Sequence, residues 1–296
     1  MKIACIGAVT LDEIMKAGHT YIRAGGTSFF SALALLALGD KVTVFSSYGS
    51  DWNAPETALN SLGINTMRLG DTTTKFAITY NGERRRLYLR EPSRRLYIDE
   101  SSIKGYDGAL IGPVAQEIDP HLLQRIKGLN IPIAVGIQGF IRAFAKNGLV
   151  KNRKADLSFL NGTFLISGSR REFSVALGGL NQIDAIQAKY KIVSRGKNGA
   201  SLYYGSNRFF AKAEGISVDP TGAGDILLAS AFHYLMKNKS PDETLSLSTA
   251  LATASTRQSG FQKLEEMKRA LASLSVSQRR RGPSGRKTYQ LFRLGS

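Results

Sequence analysis

At 296 residues, with 43% hydrophobic, 9% aromatic and 21% charged positions, the chain has the make-up of a globular protein rather than a disordered or fibrous one. Its single cysteine, Cys5, excludes a disulfide framework and any multi-cysteine metal site, and it points to a reducing cytoplasm. Lys and Arg number 40 against 23 Asp and Glu, a formal net charge of +17 that favours an anionic substrate or a polyanionic partner.

Lys2–Val9 is a short apolar run ending at small residues, as a buried strand does. The apolar start, Ile3–Leu11, is short for a signal peptide, and Asp12 and Glu13 follow it at once. Thr27–Leu38 is apolar nearly all round and predicts a buried helix closed by Gly39. Its strongest apolar stretch, Phe29–Leu38, is about half of the ~20 residues that cross a bilayer, so no membrane association is expected. Lys41–Ser47 reads as the next strand and Trp52–Leu62 as a helix ended by Gly63. Strand and helix in alternation argue for βαβ units and a mostly parallel sheet.

Thr74–Tyr97 breaks the rhythm. Phe76–Tyr80, the pair Asn81-Gly82 and the stretch through Leu89 form a hairpin signature, because Asn-Gly suits the positive φ angles of a type I′ turn. Leu87 and Leu89 share one face, and Arg86, Tyr88 and Arg90 the other, which suits a flap over a cleft. Glu83–Arg95 carries six arginines. Solvation accounts for them more simply than recognition of a substrate already bearing phosphate. Tyr80, Leu87, Leu89 and Tyr97 offer apolar contact for a homodimer through the flap.

The alternation then resumes, with strands predicted at Gly108–Ile111, Ile131–Val135, Phe164–Ile166 and Lys191–Ser194, and helices at Pro120–Gly128 and Arg170–Leu177. Ala200–Tyr204 and Arg208–Ala211 form a second hairpin, and Ala223–Asn238, Pro241–Ser259 and Gln262–Leu274 read as helices. The segment 276–296 carries Arg279, Arg280, Arg281, Arg286, Lys287 and Arg293 with no acid. It has linker composition, and a solvated, flexible tail is expected, with nucleic-acid contact as the alternative. His19, His121 and His233 are scattered without metal-ligand spacing and read as structural or exposed.

Chemistry concentrates at Val218-Asp219-Pro220-Thr221-Gly222-Ala223-Gly224-Asp225, which opens directly into the apolar run Ile226–Phe232. The backbone N–H groups of a helix start converge on an anion there, and glycines let a phosphate approach without side-chain obstruction. Asp225 is out of place beside an anion unless it serves as a general base. An acidic first-turn residue favoured by the helix dipole is an equally good reading of composition alone.

Asp-Pro-Thr-Gly-Ala-Gly-Asp at a helix start resembles the C-terminal signature of the ribokinase-like (PfkB) carbohydrate kinases. The N-terminal half, Gly7–Asp12 followed by Ala24-Gly25-Gly26-Thr27-Ser28-Phe29-Phe30-Ser31 and Ser46–Asp51, resembles the family's first signature. The likeness runs from about residue 2 to residue 275. It implies a three-layer α/β/α ribokinase-like domain over 1–275 with a mostly parallel central sheet and a small β lid, mainly 11–24 and 72–98. It also implies ATP-dependent phosphorylation of a hydroxyl on a small sugar or polyol. By the same resemblance Asp225 is the base, the Gly222, Ala223 and Gly224 backbone is the anion hole for the ATP phosphates, and Asp12, Gly25 and Gly26 bind substrate. Ser194, Gly196 and Gly199 match the nucleotide-side turn, with Ser194 in place of threonine. Glu172 matches the residue that orients Mg²⁺ through water, with Ser169 where asparagine is usual. Phe30 stands where asparagine is often found. Gln138 and Arg142, with Thr10-Leu11-Asp12-Glu13, are similar to the inositol-kinase-like branch. A nucleoside acceptor is the alternative within the family; from another class, the charge permits a nucleic-acid-binding protein on a kinase-like scaffold, whose binding would weaken steeply with salt.

Overall fold

A computed structural model describes residues 1–16, 18–81 and 84–280. The first half of the chain holds β1 (Lys2–Ile6), β2 (Thr10–Lys16), β3 (His19–Gly25), α1 (Thr27–Ala37), β4 (Lys41–Ser47), α2 (Asn53–Ser61), β5 (Asn65–Gly70), β6 (Thr74–Asn81), β7 (Arg84–Glu91), β8 (Gly108–Ile111), α3 (Pro120–Lys127) and β9 (Ile133–Gly136). The second half holds α4 (Gln138–Ile141), β10 (Arg142–Phe144), β11 (Val150–Asn152), β12 (Leu165–Ser169), α5 (Arg170–Leu177), β13 (Tyr190–Ser194), β14 (Ala200–Tyr204), β15 (Asn207–Ala211), α6 (Ala223–Met236), α7 (Pro241–Ser255) and α8 (Lys263–Arg280).

Nine strands form the main sheet in the order β15-β14-β13-β12-β9-β8-β1-β4-β5. All neighbours are parallel except β13–β14 and β14–β15. Alternation along β1 assigns its residues to two cores. Ile3 and Cys5 join Phe29 and Leu33 of α1 and Leu228 and Phe232 of α6, while Ala4 and Ile6 join Leu123 and Ile126 of α3 and Phe173 of α5. The result is three layers, helix on sheet on helix. Phe232 is fully buried, and truncating such a residue to alanine costs about 3–5 kcal/mol. His233 pairs with Asp40 at 2.6 Å inside this layer, a structural role.

The chain leaves β1 toward β4 and β5 on one side and returns through β8 to the other. This reversal opens a crevice at the carboxyl ends of β1 and β8, where ligands bind in open α/β sheets. Above it lies a separate four-stranded sheet in the order β3-β2-β6-β7. Phe76, Leu87 and Leu89 of this sheet pack with Val114, Phe144 and Val150. Leu87 and Leu89 are partly buried against this cluster, and Tyr97 is exposed.

Residues 11–16 and 19–24, expected in the small β lid, lie in two strands, β2 and β3, paired along their length. Several boundaries differ from expectation. The strand β5 and the small hairpin β10–β11 carry no strong period-2 pattern and were not anticipated. Helix α8 continues through Arg280, so residues 276–280 are helical rather than part of a flexible tail. Gly82 of the Asn-Gly turn and residues 281–296 lie outside the described residues.

Candidate active site

The loop before α6 supplies the anion-binding backbone. Gly222 caps α6 at φ 77°, a left-handed conformation that glycine adopts freely. A β-carbon there would fall 2.3 Å from the Phe30 ring, so the residue standing in place of asparagine packs flat against the loop. The Ala223 N–H is turned back onto the Pro220 carbonyl at 3.1 Å. Gly222, Gly224 and Asp225 N–H groups have no partner among the described residues, and the space around Gly224 is open. These are the orphan donors of a helix N-terminus, and with the helix dipole they have the arrangement in which helix starts attract anions.

Asp225, in the first turn of α6, lines a cavity of about 460 Å³ together with Asp12, Gly26, Gln138 and Arg142. Its carboxyl is contacted by the Gln138 amide at 3.4 Å and neighboured by the Thr27 hydroxyl. Desolvation by the cavity walls pushes its pKa up to about 7; Thr27 and Arg142 pull it down, and Glu172 and Asp12 add to the rise. A carboxyl tuned to that range exchanges protons near neutrality.

The Gln138 amide is itself fixed. It donates to Thr27 Oγ1 at 2.6 Å, and its carbonyl accepts from Arg142 Nη2 at 2.8 Å. Arg142 also donates to the Val114 carbonyl at 2.6 Å, lies over the Phe76 ring and has its backbone carbonyl held by Gln116. A cation that donates to the Gln138 oxygen leaves only the NH₂ end to face Asp225. Arg142 begins β10 at the cavity wall rather than lying on a surface helix.

Asp12 is the third residue of β2, and inward alternation with Thr10 and Ile14 buries it to 9% exposure. Its Oδ1 has no hydrogen-bond partner. Burial raises its pKa, opposed by the neighbouring Thr10 hydroxyl and by the positive charges of Arg85 and Arg142. An unpaired buried carboxylate oxygen is costly unless a ligand hydroxyl completes it. A β-carbon at Gly25 would lie 2.7 Å from Asp12 Oδ2, so glycine there makes room for the carboxyl. Arg85 and Leu87 reach the same cavity from β7, as do Phe76 and Tyr80 from β6, while Arg86, Arg90, Arg94 and Arg95 are exposed and do not line it.

A second cavity, about 500 Å³, adjoins the other side of the loop. It is lined by Ser194, Gly196 and Gly199 and by small residues of the loop and of α6 and α7, including Ala213, Ala223, Gly224, Ala252 and Thr253. Ser194 and Gly196 border both cavities, which therefore meet where the anion site lies.

Glu172 stands apart from these groups in its local role. Ser169 caps α5 and accepts from the Glu172 N–H at 3.2 Å, while Glu172 Oε2 accepts from the Ser169 N–H at 2.6 Å. Ser-x-x-Glu is thus a capping box, a signal present in the sequence and not anticipated there. One carboxylate oxygen is committed to the helix start, and no group of three or more metal-ligating side chains occurs among the described residues. Thr27, Thr10, Arg85 and Tyr80 also line the site without having been anticipated. Only Thr27 carried a signal, its place directly after the Gly-Gly pair.

The fold is shared with known kinases. A sulfate complex of a pyrophosphate-dependent kinase in the ribokinase family superposes with a TM-score of 0.81 at 20% identity, covering 89% of this chain and 99% of that one. The structure of a pyrophosphate-dependent kinase of that family with a pyrophosphate analogue and myo-inositol gives 0.79 at 21%, covering 89% and 99%. Arabidopsis thaliana ribokinase complexed with ribose and ATP gives 0.70 at 16%, covering 91% and 98%. At these identities the likeness establishes the fold. No curated protein sequence matches the chain. Residues 138–267 match the family model described as pfkB family carbohydrate kinase. The fold is the ribokinase-like one, and the family match spans the stretch that carries α6 and the glycine loop before it. No helix among the described residues is long and apolar enough to cross a membrane.

Proposed function

We propose that the protein transfers the terminal phosphoryl group of ATP to a hydroxyl of a small polyol or sugar, with an inositol-like ring as the first substrate to test. The observation that carries this reading is the meeting of Asp225 with Asp12, whose Oδ1 lacks a partner, in one cavity at the positive end of α6. The hydroxyl that reacts donates to Asp225, which takes its proton as the oxygen attacks phosphorus. Asp12 accepts from a second hydroxyl and fixes the ring. Charge growing on the transferring group meets the N–H groups of Gly222, Gly224 and Asp225. Phe30, Phe76 and Leu87 supply apolar walls that suit the C–H faces of a cyclic polyol. In this reading residues 1–275 are the kinase domain, with the four-stranded sheet as the lid that excludes water during transfer.

The donor reading rests on the second cavity, whose size and small-residue lining suit a nucleoside beside Ser194, Gly196 and Gly199. Glu172 keeps one oxygen beyond its helix cap, which fits magnesium held chiefly by the donor phosphates and reached through water. The ion would neutralise phosphate charge. One observation favours inorganic pyrophosphate instead: Arg170, Arg171 and Arg195 surround a depression beside Ser194, and two of the similar structures are pyrophosphate-dependent enzymes.

A phosphorylation screen decides among these. Myo-inositol, hexoses, ribose and nucleosides are each offered with ATP or with pyrophosphate. ATP-dependent turnover on a polyol or sugar is expected, and turnover with pyrophosphate alone would move the donor assignment. A folded protein that phosphorylates none of the acceptors with either donor would overturn the reading.

A further inference from the structure

Beneath the anion-binding loop, on the side away from the acceptor cavity, lies a lysine that the proposed reaction does not use. Lys263, the first residue of α8, has no exposed surface. Its ammonium donates to three backbone carbonyls, Asp219 at 2.7 Å, Gln258 at 2.8 Å and Ser255 at 3.1 Å. Among the described residues no carboxylate lies within ion-pair distance of it. A buried cation without a direct counter-ion is costly, and it persists here because carbonyl oxygens surround it. Two of them come from the C-terminal end of α7 and the turn that follows, where the helix dipole is negative and favours positive charge.

The third carbonyl opens the loop that leads to Gly222–Asp225. The same stretch is docked elsewhere on the end of α7, since the Val218 and Asp219 N–H groups both donate to the Thr256 carbonyl, at 2.8 and 2.9 Å. The Asp219 side chain carries the constraint forward. Its Oδ1 accepts from the Thr221 N–H at 3.0 Å and its Oδ2 from Arg23 of β3 at 3.3 Å. One residue thus connects the lid sheet, the loop and the cage around Lys263.

We propose that Lys263 is a built-in cation: its ammonium fills a three-carbonyl cage that fixes the start of the anion-binding loop, so Lys263 is a positioning residue for phosphoryl transfer. The cage is of a kind that a free potassium or ammonium ion could fill, and the lysine supplies that charge covalently. Burial draws the Lys263 pKa down to about 8, with Asp219 raising it and Arg23 lowering it further, which leaves the group mostly charged at neutral pH. The inference rests on the reading of Gly222–Asp225 as the site of phosphoryl transfer.

The test compares wild type, Lys263→Met and Lys263→Ala in sodium, potassium, ammonium and tetramethylammonium chlorides at equal ionic strength, with circular dichroism as the control for folding. Wild-type kcat should be the same in all four salts within about twofold. Lys263→Met should lower kcat at least tenfold while the acceptor KM changes less than threefold. Lys263→Ala, which vacates the cage, should regain at least fivefold in kcat with potassium or ammonium and not with tetramethylammonium. A variant that merely loosens the fold would not distinguish the salts by ion size. Folded variants with kcat within twofold of wild type, or an alanine variant restored by no small cation, would overturn the proposal. If neither variant folds, the wild-type series decides, and activation by potassium or ammonium would count against a built-in cation. A wild type inactive in every salt would be a failure of the kinase reading instead.

Discussion

The two cavities that meet at Ser194 and Gly196 are built on opposite principles. The acceptor cavity sets ionisable groups, Asp12, Asp225 and Arg142, against apolar walls and leaves Asp12 Oδ1 unsatisfied. The proposed donor cavity is lined mostly by small side chains and backbone, which leaves shape as its main means of selecting a ligand. Placing charges in a desolvated pocket destabilises the folded protein locally and tunes proton transfer. A wall of Ala, Gly and Thr costs little and tunes nothing. Substitutions on the acceptor side should therefore change chemistry and acceptor affinity, and those on the donor side should change donor affinity alone.

The largest break in this contrast is Asp225→Asn. Removing the base should lower kcat by about 10³-fold, within the usual range for general-base loss, while donor affinity measured by calorimetry stays within about twofold. Asp12→Ala should raise the acceptor KM by about 10- to 100-fold in steady-state assays, with the donor KM unchanged. A change confined to the donor would reverse the orientation of the site. Thr253→Phe, which intrudes on the donor cavity from α7, should raise the ATP KM about tenfold and spare both the acceptor KM and any turnover supported by pyrophosphate.

The smallest effect concerns stability and carries a definite sign. Asp225 titrates near 7 in the folded chain and near 4 when unfolded, so its ionisation is disfavoured by folding, and stability falls as pH rises between those values. Asn cannot ionise. Asp225→Asn should therefore be more stable than wild type at pH 8, by about 2 kcal/mol after solvent screening or roughly 4 °C in Tm, and should show little gain at pH 4. Thermal melts at the two pH values check this.

How much of this could be read from the chain differed between the same two regions. The loop Gly222–Asp225 and the turn Ser194–Gly199 are local in sequence, and their glycines mark backbone geometry that any reader can find. The sheet positions with continuous β-branched or apolar runs, such as Gly108–Ile111 and Ala200–Tyr204, were equally legible. Strand β2 was not, because its inward face reads Thr10, Asp12, Ile14, and polar residues at two of three core positions erase the alternation that signals a strand. Function itself obscured the pattern. Gln138 and Arg142 were found through resemblance, but the contacts of Gln138 with Thr27 and Asp225 join residues distant in the chain, and no spacing rule reaches that far. Glu172 shows the converse. A capping box explains its spacing from Ser169 completely, so the spacing alone gives no information about magnesium.

The account stands on Asp225 acting as a base with a raised pKa, and the pH dependence of kcat/KM for the acceptor measures this in the unmodified protein. The rate should climb tenfold per pH unit on the acid side, bend at about pH 7 and level above it. A rate that is level from pH 5 to pH 8, with chemistry limiting, would contradict it.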